Sequence, residues 1–229
     1  MKIYVGIQAR LSSRRVPQKM LKKINGEYLI SYLIKRLKRT IFKDNFFVLT
    51  SKNEDDKRLV DYCIKNKIKY FTGSLNNVFS RFYEFANYNK LDSIIRISGD
   101  SPLIDPLLLD KMFNYYKQDP KLDLLTNVFP RTFPSGQSIE IFSYRAFKKI
   151  NNYILTKGQK EHVTKFFYDN YKIFRIKNIK CKYPHQNVKL SIDNYDDLKK
   201  FKIFAENVEK NIEDLSIDEI VNIWSSLNQ

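Results

Sequence analysis

The stretch IYVGIQARLSSRRVPQK, residues 3–19, joins an apolar strand to a loop of basic and hydroxyl side chains. Ile3, Val5 and Ile7 alternate with other residues, which predicts a strand over Lys2–Gln8 with one face on the core. Three arginines, two serines and a lysine follow within ten residues. Guanidinium and hydroxyl groups directly after a buried strand favour binding of a polyphosphate.

This loop matches neither of the two common phosphate-binding glycine motifs. It contains no GxGxxG and no GxxxxGK[ST] pattern, so a dinucleotide site of the Rossmann type and a P-loop are both disfavoured. The alternative is a solvated basic loop without function. We prefer the polyphosphate interpretation, because ligands of parallel sheets bind beyond the carboxyl ends of the strands.

Strands and helices alternate outward from this stretch as far as Thr126. Strands are predicted at Phe46–Thr50, Lys69–Phe71, Ser93–Ile97 and Leu122–Thr126, with helices at Tyr28–Thr40, Asn53–Asn66, Asn76–Asn89 and Asp105–Lys117. Such alternation predicts right-handed βαβ crossovers and an α/β fold with a mostly parallel sheet flanked by helices.

The pattern changes after Thr126. Pro130, Pro134 and Gly136 indicate a loop and hairpin over 127–142. Later elements are predicted as a helix at Gln159–Tyr171, strands at Phe174–Ile179 and Val188–Ile192, a helix at Tyr195–Asn207, and a last helix with a capping box beginning at Ser216. We therefore predict one domain, 1–229, with an inserted subregion at 127–190.

Two aspartates stand where predicted strands end. Asp100 follows Ser98-Gly99, where the glycine lets a ligand approach the backbone, and Asp193 follows Ile192. Carboxylates at such positions suit Mg²⁺. The alternatives are a turn aspartate at Asp100 and a helix N-cap at Asp193, although Asn194 can serve as that cap.

The charge of the chain first suggests nucleic acid as a partner. The 229 residues include 41 Lys and Arg against 25 Asp and Glu, a net charge of +16. However, 30 of the 41 are lysines spread along the chain, with no arginine-rich tail or zinc-finger pattern. The strand-end aspartates would also repel phosphate without a metal. We therefore expect no nucleic-acid partner, and keep a basic nucleic-acid-binding protein as a distant alternative.

Cysteine content and hydropathy indicate the compartment. Two cysteines, Cys63 and Cys181, cannot build a disulfide framework or a multi-cysteine zinc site. No apolar run approaches the length of a membrane helix, and Arg10 interrupts any N-terminal signal sequence. A cytoplasmic protein without a membrane partner is expected.

Several motifs together resemble the cytidylyltransferases that activate sugar acids, of the CMP-KDO and CMP-sialate synthetase type, and most of all the spore coat polysaccharide biosynthesis protein F branch. The motifs are Ile7-Gln8-Ala9-Arg10-x-x-Ser13-x-Arg15-Val16-Pro17-x-Lys19, Gly73-Ser74 before Val78-x-x-Arg81-Phe82, Arg96 to Asp105, Pro130-Arg131-Thr132-Phe133-Pro134-x-Gly136, Glu161-His162-Val163-Thr164 and Ile192-Asp193-x-x-x-Asp197-Leu198. They cover nearly the whole chain in the expected order.

The resemblance implies a Rossmann-like nucleotidyltransferase fold, of the nucleotide-diphospho-sugar transferase type, with CTP and an anionic small molecule as substrates. It implies Arg15, Lys19 and Asp100 as catalytic residues, and Asp100 and Asp193 as ligands of a Mg²⁺ cofactor. Nucleotide contacts are implied for Gln8, Ala9, Arg10, Ser12, Ser13, Arg15, Lys19, Gly73, Arg96, Ser98 and Gly99, and acceptor contacts for Arg131, Gln137, Glu140, Glu161 and His162. Relatives of this kind commonly form homodimers through the inserted subregion.

The chain also departs from the branch. Gln18 replaces a usual glycine, Asn76-Asn77 an acidic pair, Ser135 an acidic residue and Gln137-Ser138 a Leu-Asp pair. The last two changes fall where an acceptor should bind. The alternative function is therefore a nucleotidyltransferase that uses another nucleotide, or a phosphorylated or phosphonate acceptor. For His162 a binding role is favoured over that of general base.

Overall fold

A central sheet of seven strands organises the part of the chain that the structure, a computed structural model, describes: residues 1–182, 185 and 187–227. The strands are β1 (Ile3–Gln8), β4 (Phe46–Ser51), β5 (Tyr70–Gly73), β6 (Ser93–Ser98), β7 (Leu124–Thr126), β8 (Glu140–Ser143) and β9 (Ile176–Asn178), and a separate hairpin is formed by β2 (Lys23–Ile24) and β3 (Glu27–Tyr28). Their order across the sheet is β5-β4-β1-β6-β8-β7-β9.

The sheet is mixed but mostly parallel. β1 pairs in parallel with β4 and β6, and β4 with β5, whereas β8 runs antiparallel to both β6 and β7. The predicted α/β fold is thus confirmed. The prediction of a strand at Val188–Ile192 is wrong, because the described residues of that segment form only an isolated bridge between Ser135 and Lys189.

Helices flank the sheet largely where the sequence predicts them. They are α1 (Leu29–Leu37), α2 (Lys57–Lys65), α3 (Val78–Tyr88), α4 (Pro106–Gln118), α5 (Tyr144–Ile150), α6 (Lys157–Glu161), α7 (Lys165–Asp169), α8 (Tyr195–Asn207) and α9 (Ile217–Ser226). The single helix predicted at Gln159–Tyr171 is wrong. The backbone extends at His162 (φ −103°, ψ 96°) and separates α6 from α7, while Val163, between them, is fully buried.

Alternation along the strands divides the core between the two faces of the sheet. Val5 and Ile97 lie in the cluster on one face, and Leu49 and Phe142 lie in the cluster on the other. A third cluster contains Phe201 and residues of α1, α8 and α9. Each fully buried side chain of this size stabilises the fold by about 1.5–3 kcal/mol.

A buried arginine joins α1 to the C-terminal part of the chain. Arg36 is fully buried and donates to the carbonyl oxygens of Ile104 at 2.5 Å, Ile212 at 2.6 Å and Leu215 at 2.9 Å. Burial lowers its pKa to about 10, so the guanidinium remains protonated at neutral pH. The Ile212 carbonyl also accepts from the Leu215 amide, at 3.4 Å.

Replacing Arg36 by methionine is expected to lower the free energy of unfolding by about 3 kcal/mol, because three buried carbonyls each lose a hydrogen bond from the guanidinium group. Urea denaturation measures this. Arg39→Met is the matched control: the Arg39 side chain is 52% exposed and pairs with Asp214, so its loss should cost less than about 1 kcal/mol. Equal costs for the two variants would contradict the structural role of Arg36.

Candidate active site

Three loops meet at one edge of the sheet. Gln8 and Ser98 are register partners at the carboxyl ends of β1 and β6, and the Gly99 amide donates to the Gln8 carbonyl at 2.8 Å. The Ile192 amide donates to the Asp100 carbonyl at 2.9 Å, which brings the segment before α8 to the same place. From β1 the strand order continues to β4 and β5 on one side and to β6 on the other. This edge is therefore a topological switch point, where ligands of such sheets bind.

Lys19 lies at the centre of this junction. Its side chain is 7% exposed, and its ammonium group contacts Asp100 Oδ2 at 3.1 Å and the carbonyl oxygen of Ile192. A cation from the first loop therefore faces the carboxylate that follows β6. Sequence reasoning assigned both residues to one site, and the structure brings them into contact.

Asp193 is surrounded by donors. Arg15 contacts it at 3.3 Å and Lys189 at 3.4 Å, and the Ser191 hydroxyl donates to it at 3.1 Å. Burial opposes the charge of Lys189, but its hydrogen bond and charge interaction with Asp197, together with Asp193, raise its pKa. Lys189 was missed from the sequence, because no motif distinguishes it from the other dispersed lysines.

The helix cap beside Asp193 is made by another residue. Asn194 Oδ1 accepts from the Asp197 amide at 2.8 Å, and Asp197 Oδ2 accepts from the Asn194 amide at 3.1 Å, so these two form the capping box of α8. The alternative in which Asp193 is the N-cap is therefore wrong. Its carboxylate is directed to the basic side chains instead.

A buried aspartate outside the predicted set anchors the basic loop. Asp56 is fully buried and accepts from the Leu11 amide at 2.6 Å, from the Ser51 amide at 3.2 Å and from the Ser51 hydroxyl. It thereby fixes the start of the loop to the carboxyl end of β4. The sequence marks Asp56 only as one of three acidic residues after the N-cap Asn53, so nothing in it distinguishes Asp56 from its neighbours.

Asp56→Asn is expected to cost about 1–3 kcal/mol of unfolding free energy and to weaken nucleotide binding, because the amide nitrogen turns a donor toward groups that are themselves donors. Urea denaturation and calorimetry with CTP measure the two effects. Asp55→Asn, at the exposed neighbouring position, is the control and should change neither. Unchanged stability and affinity in Asp56→Asn would remove Asp56 from this role.

The backbone explains why a glycine is usual before Lys19. Gln18 has φ 56°, in the left-handed region that glycine adopts most easily. Its side chain accepts a hydrogen bond from Arg58 at 2.6 Å, which helps to hold this conformation. In the same loop the Ser13 hydroxyl accepts from the Val16 amide at 3.3 Å, and the Ser12 hydroxyl is buried without a hydrogen-bond partner among the described residues.

Two glycines of the predicted site permit close packing. A Cβ atom on Gly99 would lie 3.0 Å from the Ala9 Cβ and 3.1 Å from the Gln8 carbonyl oxygen. A Cβ on Gly73 would lie 2.8 Å from Arg81 Cγ. The observed neighbour of Gly73 is thus a buried arginine, which donates to the Ser74 carbonyl and positions the end of β5.

The predicted acceptor residues fall into two groups. Glu161, at the end of α6, contacts Arg10 of the basic loop at 3.5 Å, and His162 beside it is exposed. Arg131 is partly buried and donates to the Ser138 hydroxyl at 3.0 Å; burial lowers its pKa, against the opposing charge of Glu140. Glu161 and His162 thus lie beside the basic loop, and Arg131 keeps part of its side chain exposed.

Gln137 and Glu140 are buried instead. The Gln137 side chain is fully buried, accepts from the Asp105 amide at 2.8 Å and donates to the Leu103 carbonyl at 2.6 Å. Glu140 is 2% exposed and enclosed by donors. The structure thus corrects their assignment as acceptor contacts: both side chains are directed into the protein, because their hydrogen bonds connect neighbouring elements of the fold.

A mostly parallel sheet with a basic loop beside two aspartates at its switch point defines a nucleotidyltransferase of Rossmann-like fold. The sequence pattern of the cytidylyltransferase family matches residues 5–225, so the chain belongs to that family. Among the described residues, no helix is both long enough and apolar enough to span a membrane.

Similar proteins agree with this assignment. An uncharacterized protein of Methanocaldococcus jannaschii is 31% identical over 95% of this chain and 87% of its own length, and spore coat polysaccharide biosynthesis protein SpsF of Bacillus subtilis is 28% identical over 95% and 91%. A 3-deoxy-manno-octulosonate cytidylyltransferase of Pelobacter propionicus is 29% identical over 55% of this chain and 49% of its own. The solved structure of a cytidylyltransferase from Leptospira borgpetersenii superposes with a TM-score of 0.94 at 27% identity, covering 100% of this chain and 95% of the other.

Proposed function

We propose that the protein transfers CMP from CTP to an acidic sugar, or a related precursor of surface polysaccharide, and releases pyrophosphate. One observation carries the proposal: Lys19 of the basic loop contacts Asp100, and Arg15 of the same loop contacts Asp193, where the three loops meet. Cations suited to a triphosphate and carboxylates suited to a divalent metal are thus in direct contact.

The relatives support the class of acceptor. SpsF is described as a spore coat polysaccharide biosynthesis protein, and the Pelobacter propionicus relative as acting on 3-deoxy-manno-octulosonate. Arg131 and the arginines of the basic loop suit a carboxylate or phosphate on the acceptor.

The transfer would proceed by in-line attack of an acceptor oxygen on the α-phosphorus of CTP. This chemistry depends on positioning and charge neutralisation. Arg10, Arg15 and Lys19 would bind the triphosphate, and Arg15 and Lys19 would neutralise the negative charge that develops on the leaving pyrophosphate. His162, exposed beside Glu161, would contact the acceptor.

Asp100 and Asp193 would hold a magnesium ion as two carboxylates, because the Ile192 amide donates to the Asp100 carbonyl and so brings the two segments together. Within the described part of the chain, no group of three or more His, Cys, Asp or Glu residues is placed to hold a metal. Mg²⁺ commonly binds through one or two carboxylates plus substrate phosphates and water. When bound, it would supply charge stabilisation at the α-phosphate.

Pyrophosphate release tests the proposal. The purified protein is incubated with Mg²⁺ and each of CTP, UTP, GTP and ATP, against a panel of acidic sugars, phosphorylated sugars and small phosphonates. We expect release with CTP and an acidic sugar, and its loss on chelation of the metal. Release only with another nucleotide, or only with a phosphorylated or phosphonate acceptor, would support the alternative function. No release in any combination would contradict both.

The homodimer formed through residues 127–190 and the single-domain organisation stay predictions. Light scattering of the purified protein tests the first.

A further inference from the structure

A row of polar side chains crosses one face of the sheet near its carboxyl edge. Arg96 of β6 is the register partner of Glu140 of β8, which is in turn the partner of Thr126 of β7. Gln8 of β1 lies on the same face, as the partner of Ser98, two residues beyond Arg96. Apolar side chains such as Leu49 and Phe142 pack on this face, so a buried ion pair between Arg96 and Glu140 needs a physical reason.

The far end of the row is anchored by α7 and the residue before it. Glu140 accepts from the Thr164 hydroxyl at 2.6 Å and from the Tyr168 hydroxyl, and its second oxygen accepts from Arg96. Burial and the negative charge of Glu140 raise the pKa of Tyr168, so its hydroxyl remains a donor. The carboxylate is therefore fixed from three directions and cannot turn toward a ligand.

Arg96, held in place by Glu140, in turn fixes the orientation of the Gln8 side chain. With one terminal nitrogen on Glu140, its Nε–H donates to Gln8 Oε1 at 2.9 Å. The Arg96 Nε atom can only donate, so its partner must be the oxygen of the Gln8 amide and not the nitrogen. The orientation of the amide is thus determined by chemistry, and within the described residues the Gln8 Nε2 group has no hydrogen-bond partner.

We propose that Gln8 determines the base specificity of the nucleotide site, and that the Arg96–Glu140 pair fixes its amide for that purpose. Gln8 stands at the switch point and presents an NH₂ donor there. Cytosine carries an acceptor at N3, whereas uracil carries an N–H donor at that position. A fixed donor that faces N3 therefore favours cytosine, and Arg96 prevents the amide from turning its oxygen toward the N3–H of uracil.

The energetics of buried ion pairs agree with a positioning role. Side chains of Arg96 and Glu140 are 16% and 3% exposed, so the desolvation of both charges offsets most of their attraction. Replacing such a pair with apolar side chains is often neutral for stability. A loss of base selection in a variant that stays folded would therefore separate a positioning role from a merely structural one.

The inference rests on the proposed function, and calorimetric binding of CTP and UTP in the presence of Mg²⁺ tests it without an acceptor. We expect the wild type to bind CTP about tenfold more tightly than UTP, the effect of one well-placed hydrogen bond. Gln8→Leu should bring the CTP:UTP affinity ratio close to one, and Gln8→Glu should move it toward UTP. Gln118→Glu, at an exposed position on α4, should leave the ratio unchanged.

The double variant Arg96→Met/Glu140→Met tests whether the ion pair fixes the Gln8 amide, since Gln8 itself remains. We expect its affinity ratio to fall as in Gln8→Leu in a protein that stays folded, with a lower melting temperature because the Thr164 and Tyr168 hydroxyls lose this acceptor. The inference would be overturned if the Gln8 variants or the folded double variant kept the wild-type affinity ratio. It would also be overturned if the wild type bound CTP and UTP equally well. Neither result would contradict the proposed transfer reaction. Absence of CTP binding by the wild type would refute the proposed function instead.

Discussion

Asp100→Asn is expected to lower pyrophosphate release from CTP by about a thousandfold while the protein stays folded. The substitution keeps the shape of the side chain but removes its charge. Lys19, which is nearly buried, would lose its counter-charge at 3.1 Å, and the proposed metal site would lose one of its two carboxylates. The ammonium group would keep the Ile192 carbonyl, and Asp100 itself is partly exposed, so we expect the fold to survive.

Steady-state pyrophosphate release, with the acceptor that is active for the wild type, measures this effect, and thermal unfolding reports the fold. Asp44→Asn, at an exposed position between α1 and β4, is the matched control and should keep wild-type turnover. Turnover within a fewfold of the wild type in a folded Asp100→Asn protein would exclude Asp100 from metal binding and charge stabilisation.

The sequence predicts the fold well where a local pattern coincides with a packing requirement. Apolar alternation in β1 and β6 corresponds to the two core faces, and Asn53, Asn194 and Ser216 cap helices as their positions suggest. The failures occur where tertiary contacts override the local pattern. The backbone extends at His162, although the residues on either side favour a helix.

For the candidate site, the sequence identifies which loops carry the chemistry but not the direction of every side chain. Lys19 and Asp100 meet as expected, because each follows a strand end of a parallel sheet. Gln137 and Glu140 stand in the expected segment, yet their side chains are directed into the protein. Whether a polar side chain faces a cleft or a neighbouring strand depends on register, which one sequence does not fix.

Asp56 and Lys189 are site residues that the sequence does not identify at all. Each is one charged residue among similar neighbours in the sequence. Asp56 receives the Leu11 amide across 45 positions, and Lys189 contacts Asp193, four residues further along the chain, at 3.4 Å. The chemistry of the site thus depends on positioning residues that carry no motif.

Lys19→Met is expected to weaken CTP binding by more than a hundredfold and to lower turnover by about a thousandfold. The ammonium group is the cation at the junction of the three loops, in contact with Asp100 and the Ile192 carbonyl. Its loss would leave Asp100 without this cation, and the carboxylate would then repel the triphosphate. Because the Lys19 side chain is only 7% exposed, solvent cannot replace the missing charge.

Arg15→Met is the comparison variant, for which a smaller loss of CTP affinity is expected. The Arg15 side chain is 69% exposed and its contact with Asp193 is screened by water, so we expect CTP binding to weaken only about tenfold. Calorimetry with CTP and Mg²⁺ ranks the two variants, and thermal unfolding confirms that both are folded. A larger loss of affinity in Arg15→Met than in Lys19→Met would mean that the triphosphate binds on the exposed side of the loop, and that the buried ammonium group serves mainly to hold Asp100 and Ile192 together.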